Sequence, residues 1–443
     1  MQTYGCDFAY GISTAKINAA LALNLANVKM PIAFSATDPD SGTTVTLNAI
    51  LAPWQIASGG QPTLLHLTIP FSDGYLELAG GALKNGSYDL SGVSGLVEVQ
   101  LGWVGQGTQQ QAQGSGDVTQ LSFDPSSTDP ANPGYVATLR IDDPNGSLDS
   151  ISISLLKAYL ANALITNKSN LQYILANTNP KPENLASWLQ PLSWQYYYAS
   201  SVEALCFLCM MSNAPLPAGA AFDASAFQPG VDCALLVSQP QFFTNVVLPG
   251  IQKAFPGGSF SVSSSAEIST VSNSGDFDLG SVTASTLTVT TSDASSGLKV
   301  YAAGGGPLKF LFGLANLPGA SYSWNVTSTN QQVYADGVLS FASDPNPVIN
   351  QDHTIHWYDW ALLVVVGITN VAGLVSAIYD SVEGFHNQVE SVGIDTINSQ
   401  TQSATGGTVA NLQNVVDWKL GQQELSVTGA GLSGPLYVLG NFI

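Results

Sequence analysis

The sequence predicts an α+β chain, richer in strand than in helix, in which an apolar helix followed by an antiparallel meander occurs twice. Three observations predict it. Apolar residues recur at every second position over long stretches, the period of a half-buried strand. Only 9% of the 443 residues are charged, against roughly 25% in an average soluble chain. Gly, Ser, Thr, Asn and Gln do the solvating instead, which suits broad sheets with many turns. Finally, segments with helical spacing stand at the head of two of the strand runs.

Ser13 to Ala26 reads as the first helix. Ser13 or Thr14 supplies its N-cap, and Ile17, Leu21 and Leu25 are spaced along one face. Lys16, Asn18 and Asn24 are nearly all of its polar side. Strands follow. Val45, Leu47, Ala49 and Leu51 alternate with polar or small neighbours, as do Leu65, Leu67, Ile69 and Phe71, and then Val97, Val99, Leu101 and Trp103. Gly59-Gly60, Asp73-Gly74 and Asn85-Gly86 are the expected turns between them. Gly105 to Asp117 reads as an exposed hairpin tip, Gly134 to Ile141 as a strand and Asp142 to Gly146 as a turn. Ile151 to Leu164 reads as a second helix, with Leu155, Leu156, Tyr159, Leu160 and Ala163 inside.

Asn213 to Gly230 holds Pro215, Pro217 and Pro229 among small residues and is the expected linker, separating residues 1–212 from 231–443. Beyond it, Val231 to Val237 reads as a strand and Pro240 to Phe255 as a helix. The Ser/Thr-rich stretch Ser259 to Gly297 reads as strands, because Leu287 and Val289 alternate with threonines. Leu420 to Ile443 closes the chain in strands. No short-period repeat marks a solenoid or propeller.

With 11 basic and 31 acidic residues the formal charge is −20. A nucleic-acid backbone would be repelled, so no nucleic-acid partner is expected. An anionic membrane would repel the chain too unless something apolar engaged first, so membrane contact is expected only as a transient event. Four cysteines in a chain this long do not make a disulfide framework. The opening residues lack a basic leader, an uninterrupted apolar core and a small-residue cleavage site. The expectation is a soluble protein without signal peptide, cytoplasmic until released and extracellular afterwards.

Several segments resemble a known family. They are Thr3-Tyr4-Gly5 with Asp7 and Tyr10, Pro191 to Tyr198, Met210-Met211-Ser212-Asn213, Val231-Asp232, Leu235-Leu236-Val237-Ser238, and Phe242 to Leu248-Pro249-Gly250. The family is that of the forty-seven-kilodalton accessory protein and the OrfX proteins of clostridial neurotoxin gene clusters. It usually carries Trp where this chain has Cys6. The matching pieces are scattered from end to end, so the likeness is whole-chain and distant. The resemblance implies a TULIP-like fold, similar to bactericidal/permeability-increasing protein: an elongated two-part molecule with long helices wrapped by strongly curved antiparallel sheet. It also implies an apolar groove for acyl chains, no catalytic residue, no cofactor, and a bacterial origin in a toxin-associated or insecticidal system.

Other motifs reduce to plain structure. Gly429-Ala430-Gly431-Leu432-Ser433-Gly434 spells GxGxxG, but a strand-like run follows it where a dinucleotide site needs a helix. Cys206 and Cys209 are three apart with no basic neighbour to lower a thiol pKa and no second pair to complete a zinc site. They read as two positions on a buried helix face. His353 and His356, beside Asp352 and Asp359, have metal-ligand spacing, yet Trp357 and Trp360 favour a packed helix start, and no metal is expected. Asp38-Pro39-Asp40-Ser41-Gly42 begins like a calcium loop, but Ala49 stands where the loop needs Glu. No GxSxG elbow is present.

Trp360 to Tyr379 is uncharged and just long enough to span a bilayer. Thr369, Asn370 and Ser376 interrupt it, and Asp359 and Asp380 bracket it with no basic flank. Val364, Ile368, Val371, Val375 and Ile378 follow helical spacing, so the segment reads as a helix buried under a sheet. Insertion after a trigger and a constitutive span are the alternatives. The function expected is non-enzymatic binding of a lipid or other apolar ligand, each buried methylene contributing about 0.8 kcal/mol. Ile17, Leu21 and Leu25 from the first helix and Val364, Ile368, Val371 and Val375 from the late one are the expected groove walls. The same residues would equally serve a filled core. The alternative function is a structural accessory that binds a partner toxin protein without lipid.

Overall fold

In the computed structural model, two strands each lead into a helix through a capping serine. Phe8–Ser13 hands over to Thr14–Leu25, where Ser13 Oγ accepts from the Lys16 amide at 3.4 Å. Cys233–Val237 hands over to a helical run beginning at Gln239, where Ser238 Oγ accepts from the Gln241 amide, also at 3.4 Å. Each hydroxyl satisfies one of the amides that a helix start leaves unpaired. The structure describes residues 1–105, 114–115, 119–171, 173–178, 187–212, 214–265, 268–279, 282–292, 297–310, 315–354, 371–403, 416–418 and 425–442. The chain divides into two compact units, one of residues 8–235, 409–426 and 439–443, the other of residues 1–7, 236–408 and 427–438.

The unit of residues 8–235 is mostly antiparallel sheet. Cys233–Val237, Phe8–Ser13, Ala204–Met210, Ser193–Ala199 and Gly114–Ser115 lie side by side in that order. A second sheet runs Val416–Trp418, Tyr173–Thr178, Thr119–Phe123, Gly102–Gly105, and a third runs Val136–Asp142, Ser94–Val99, Leu64–Ala79, Thr44–Leu51, Met30–Thr37. The alternation read from the sequence sets the third sheet's inner face: Val45, Leu47, Ala49 and Leu51 are buried and their neighbours half-buried. The helix Ser150–Thr166, capped by Asp149, lies against that sheet. Gly95 makes room for it, since a Cβ there would stand 2.4 Å from Leu160 Cδ2. Residues 214–230 belong to this unit, with Phe222 and Ala226 buried.

Three local expectations are corrected. Asp73-Gly74 does not turn; it lies inside the strand Leu64–Ala79, where the register against Thr44–Leu51 slips between Ile50 and Leu51. Gly74 has φ of 128°, and a Cβ there would stand 2.4 Å from Ala49 Cα, so the glycine serves a bulge. Gly59-Gly60 likewise falls at a register shift within Gln55–Gln61, and the chain reverses after it. Cys206 and Cys209 sit on the strand Ala204–Met210, not on a helix. Positions three apart on a strand face opposite sides. A strand covered on both faces reads as an unbroken apolar run, and periodicity cannot tell that run from a buried helix.

The unit of residues 236–408 carries an eight-stranded sheet. Its order is Phe260–Ser265, Ile268–Asn273, Val282–Thr291, Gly297–Phe310, Ala315–Ala335, Val338–Phe341, with Phe277–Leu279 on Val282–Thr291 and Val348–Thr354 on Ala315–Ala335. Two helical runs belong to the same unit. One joins Gln239–Phe242, Phe243–Val247 and Leu248–Ala254; the other is Val371–Gln388, continued by Val389–Ile394 and residues 395–403. They approach backbone to backbone at Gly250, where a Cβ would stand 2.5 Å from Ile397 Cγ1 and 2.9 Å from Gly393 O.

His353 lies on the strand Val348–Thr354, opposite Tyr322, and is exposed, which corrects its reading as part of a helix start. His356 and most of the apolar run, residues 355–370, lie outside the described residues. Among the described residues no helix is long and apolar enough to cross a membrane.

Candidate functional site

Phenylalanines from three segments meet in the unit of residues 236–408. Phe255 follows the last turn of the helix Leu248–Ala254, at a point where Pro256 and Gly257 carry the chain away. Phe277 opens the strand Phe277–Leu279, and Phe385 comes from the helix Val371–Gln388. The rings of Phe255 and Phe385 stack with centroids 5.1 Å apart and planes at 11°. Phe277 lies 5.6 Å from Phe255, and Phe260 5.3 Å from Phe277. Trp324, from the sheet, leans on Phe385 at 5.7 Å. Ring pairs in such tilted and offset arrangements are favoured by their quadrupoles.

A cleft of about 410 Å³ opens over this cluster, lined by Phe255, Phe277 and Phe385 with Ala254, Gly257 and Gly384. That volume falls in the range of small-ligand sites. Three polar side chains line it, and each makes a hydrogen bond within the protein while Asp278 stays exposed. Gln388 Nε2 donates to Ala254 O at 3.1 Å, Ser381 Oγ donates to Ala377 O at 2.7 Å, and Asp278 Oδ1 accepts from Thr283 Oγ1 at 3.2 Å. An apolar molecule entering here would meet the carbon of Phe255, Phe277 and Phe385, with the Asp278 carboxylate left to water beside it.

Beside the cleft, a carboxylate is held inside the fold. Asn330 Nδ2 donates to Glu390 Oε1 and Oε2 at 2.8 and 2.9 Å, and Ser328 Oγ donates to Oε1 at 3.0 Å. His386 Nδ1 stands 3.9 Å from the same oxygen. Nothing in this set converges on a free reacting position, and both carboxylate oxygens are already taken.

The expected groove residues fall in different units. Ile17, Leu21 and Leu25 are buried in the unit of residues 8–235. Val371 and Val375 lie in the first turns of the helix Val371–Gln388, and Val364 and Ile368 lie outside the described residues. Sequence reasoning did not single out Phe255, Phe277 or Phe385. They are 22 to 130 positions apart, and no local period connects them.

Metal and thiol chemistry find no footing among the described residues. No group of three or more His, Cys, Asp or Glu side chains is placed to hold a metal ion there. All four cysteines are buried and none is in a disulfide. Burial pushes the Cys206 thiol well above its ordinary value, and burial together with the nearby Asp232 charge pushes Cys233 up to about 12. Such thiols are poor nucleophiles.

Comparison with known proteins gives one family and a consistent fold. The family description OrfX-like (Protein OrfX2/OrfX3/P47) matches residues 3–295. Protein P47 of Clostridium botulinum (strain Kyoto / Type A2) is 23% identical over 253 residues, an alignment that spans 56% of this chain and 56% of that relative's length. The solved structure of P47 from Clostridium botulinum A2 superposes with a TM-score of 0.74 at 20% identity, covering 100% of this chain and 98% of that one. The crystal structure of P47 of Clostridium botulinum E1 does so with a TM-score of 0.71 at 19% identity, covering 100% of both.

Proposed function

We propose that this chain, which belongs to the OrfX-like family, is a non-enzymatic binding protein of a bacterial toxin-associated or insecticidal system, with an acyl chain or comparable apolar molecule as its ligand. The observation that carries the reading is the cleft of about 410 Å³ over Phe255, Phe277 and Phe385, in which Ser381 and Gln388 are tied to backbone carbonyls. Affinity would come from apolar surface removed from water, at roughly 25 cal/mol per Å². The finer architecture, long helices wrapped by strongly curved sheet, belongs to the same proposal. So does the role of Val371 and Val375 as walls further along the helix that carries Phe385.

Extraction of the purified protein with organic solvent, followed by mass spectrometry, tests it. The expected outcome is a co-purifying acyl lipid near one per chain, lost in Phe385→Leu while the protein stays folded. Wild-type protein that carries no lipid, and takes up no apolar fluorescent probe, would return the function to an accessory that binds a partner toxin.

A further inference from the structure

A second cleft, of about 450 Å³, lies on the unit of residues 8–235. Its floor is the face of the third sheet where Asn48, Ile50, Asp73 and Tyr75 emerge, opposite the buried row that includes Leu47 and Leu51. Its lip is Asn167 and Asn170, which follow the helix Ser150–Thr166. Tyr75 is 42% exposed, one of the few large rings left to solvent among the described residues.

The lip settles what cannot bind. Met30–Thr37 is the outer strand of the sheet. Asn167 Oδ1 accepts from the Ala33 amide at 3.2 Å and its Nδ2 donates to Ala33 O at 2.9 Å, as a neighbouring strand would. Asn170 Nδ2 donates to Pro31 O at 3.0 Å. The edge at this point is already paired, so an extended peptide has no backbone groups to add to. No Lys, Arg or His lines the cleft and Asp73 does, so a phosphate or carboxylate ligand would meet repulsion. An acyl chain would desolvate Asn48, Asp73 and Asn170 without pairing them.

What remains is an uncharged ligand rich in hydroxyls. Asn48 Nδ2 donates to the Tyr75 hydroxyl at 3.2 Å, which fixes the phenol and leaves its proton to donate. Asn48 and Asn170 each spend one amide hydrogen in these bonds, on Tyr75 and on Pro31 O, and keep a second N–H together with Oδ1, while Asp73, whose Oδ1 takes the Gly74 amide at 2.7 Å, keeps Oδ2 as an acceptor. Planar acceptors beside an exposed ring complement a sugar, whose hydroxyls donate while its C–H face lies against the aromatic. We propose that this cleft binds a neutral hexopyranose unit of a glycan.

Saturation-transfer difference NMR with methyl β-galactopyranoside, methyl α-mannopyranoside and N-acetylglucosamine as probes, in chelator, tests the proposal. At least one sugar should give transfer to its ring protons, with an affinity in the millimolar range typical of weak single-site contacts. Tyr75→Ala should weaken it about tenfold or more, Tyr75→Phe, which keeps the ring and loses the hydroxyl, should weaken it less, and Phe385→Leu, in the other unit, should leave it unchanged. Asn170→Arg, at an exposed position, should block the cleft by volume even where Tyr75→Ala proves unstable. No transfer from any of the three sugars, or transfer indifferent to both Tyr75→Ala and Asn170→Arg, overturns the proposal.

Discussion

Phe255 and Phe385 stack with near-parallel rings beneath the candidate cleft, one just past the end of a helix and the other in the last turn of a second. The pair therefore couples two elements that the sequence separates, and it does so at the floor of the site. Phe385 is 2% exposed and Phe255 4%, so each is both a core side chain and a wall.

That double role gives the first prediction. Phe385→Ala should cost about 3–5 kcal/mol, the usual loss for an aromatic removed from a core. Leucine at either position should cost less. A double-mutant cycle with Phe255→Leu and Phe385→Leu should give a coupling of about 0.5–1.5 kcal/mol. Denaturant unfolding of the four proteins measures it, and a coupling near zero would mean that the two rings are neighbours without mutual stabilisation.

The thiols supply the second. Cys6, Cys206, Cys209 and Cys233 are buried, and Cys206 and Cys233 are held well on the protonated side. Native protein at about pH 8 should leave a thiol reagent almost untouched, and all four thiols of the chain should react once guanidinium unfolds it. Rapid labelling of even one cysteine in the native state would place a flexible or open segment where the structure has a buried thiol.

How much of this was legible in the sequence depends on where each signal is stored. Val45 to Leu51 could be read directly, because one face of that strand is buried and the alternation shows it. Ala204 to Met210 could not be typed, because burial on both faces erases the period. Ser13 and Asp149 cap their helices through bonds spanning three residues, a range that local reading covers. Gly74 looked like a turn residue and is needed for a close approach to Ala49, which only the partner strand reveals. The same limit hid the cleft. Phe255, Phe277 and Phe385 are assembled by tertiary packing, and each alone resembles any core aromatic.

The third prediction concerns acid. The Ser152 backbone amide, with the Tyr88 hydroxyl, holds the Asp149 carboxyl below its ordinary value. A depressed folded pKa means that the stabilisation is fully present above the ordinary aspartate value of about 3.9 and is lost as pH falls through the lower folded value. At neutral pH, Asp149→Ala should lose the cap, typically about 1 kcal/mol. The gap to wild type should close in strong acid. Asp149→Asn keeps a capping oxygen without a titrating group, so its thermal melting should fall less than wild type's on acidification. Parallel melting curves that keep the same spacing at every pH would remove Asp149 from the acid response.

The half-buried Glu390 carboxylate gives the last. Asn330 is fully buried, and its single amide nitrogen donates to both oxygens of Glu390 and to Ala342 O at 3.2 Å. Asn330→Asp changes one nitrogen to oxygen and almost no volume, yet it sets a second carboxyl against the first at hydrogen-bond distance. Two carboxylates sharing such a site cannot both ionise cheaply, so one proton should be retained between them. The variant should be destabilised at neutral pH by several kcal/mol, on the order of 3–5, as when a buried charge loses its partner. The sign with pH is the reverse of the Asp149 case. An acid whose folded pKa is raised costs stability above that value, and the cost shrinks as pH falls toward the ordinary carboxylate range. Asn330→Leu removes the donor without adding charge, so its loss should vary much less with pH than that of Asn330→Asp. Urea unfolding of both variants from neutral to mildly acidic pH separates them. If the gap between Asn330→Asp and wild type fails to narrow on acidification, the two carboxyls do not share a proton, and the Glu390 site must open to water or to the His386 ring instead.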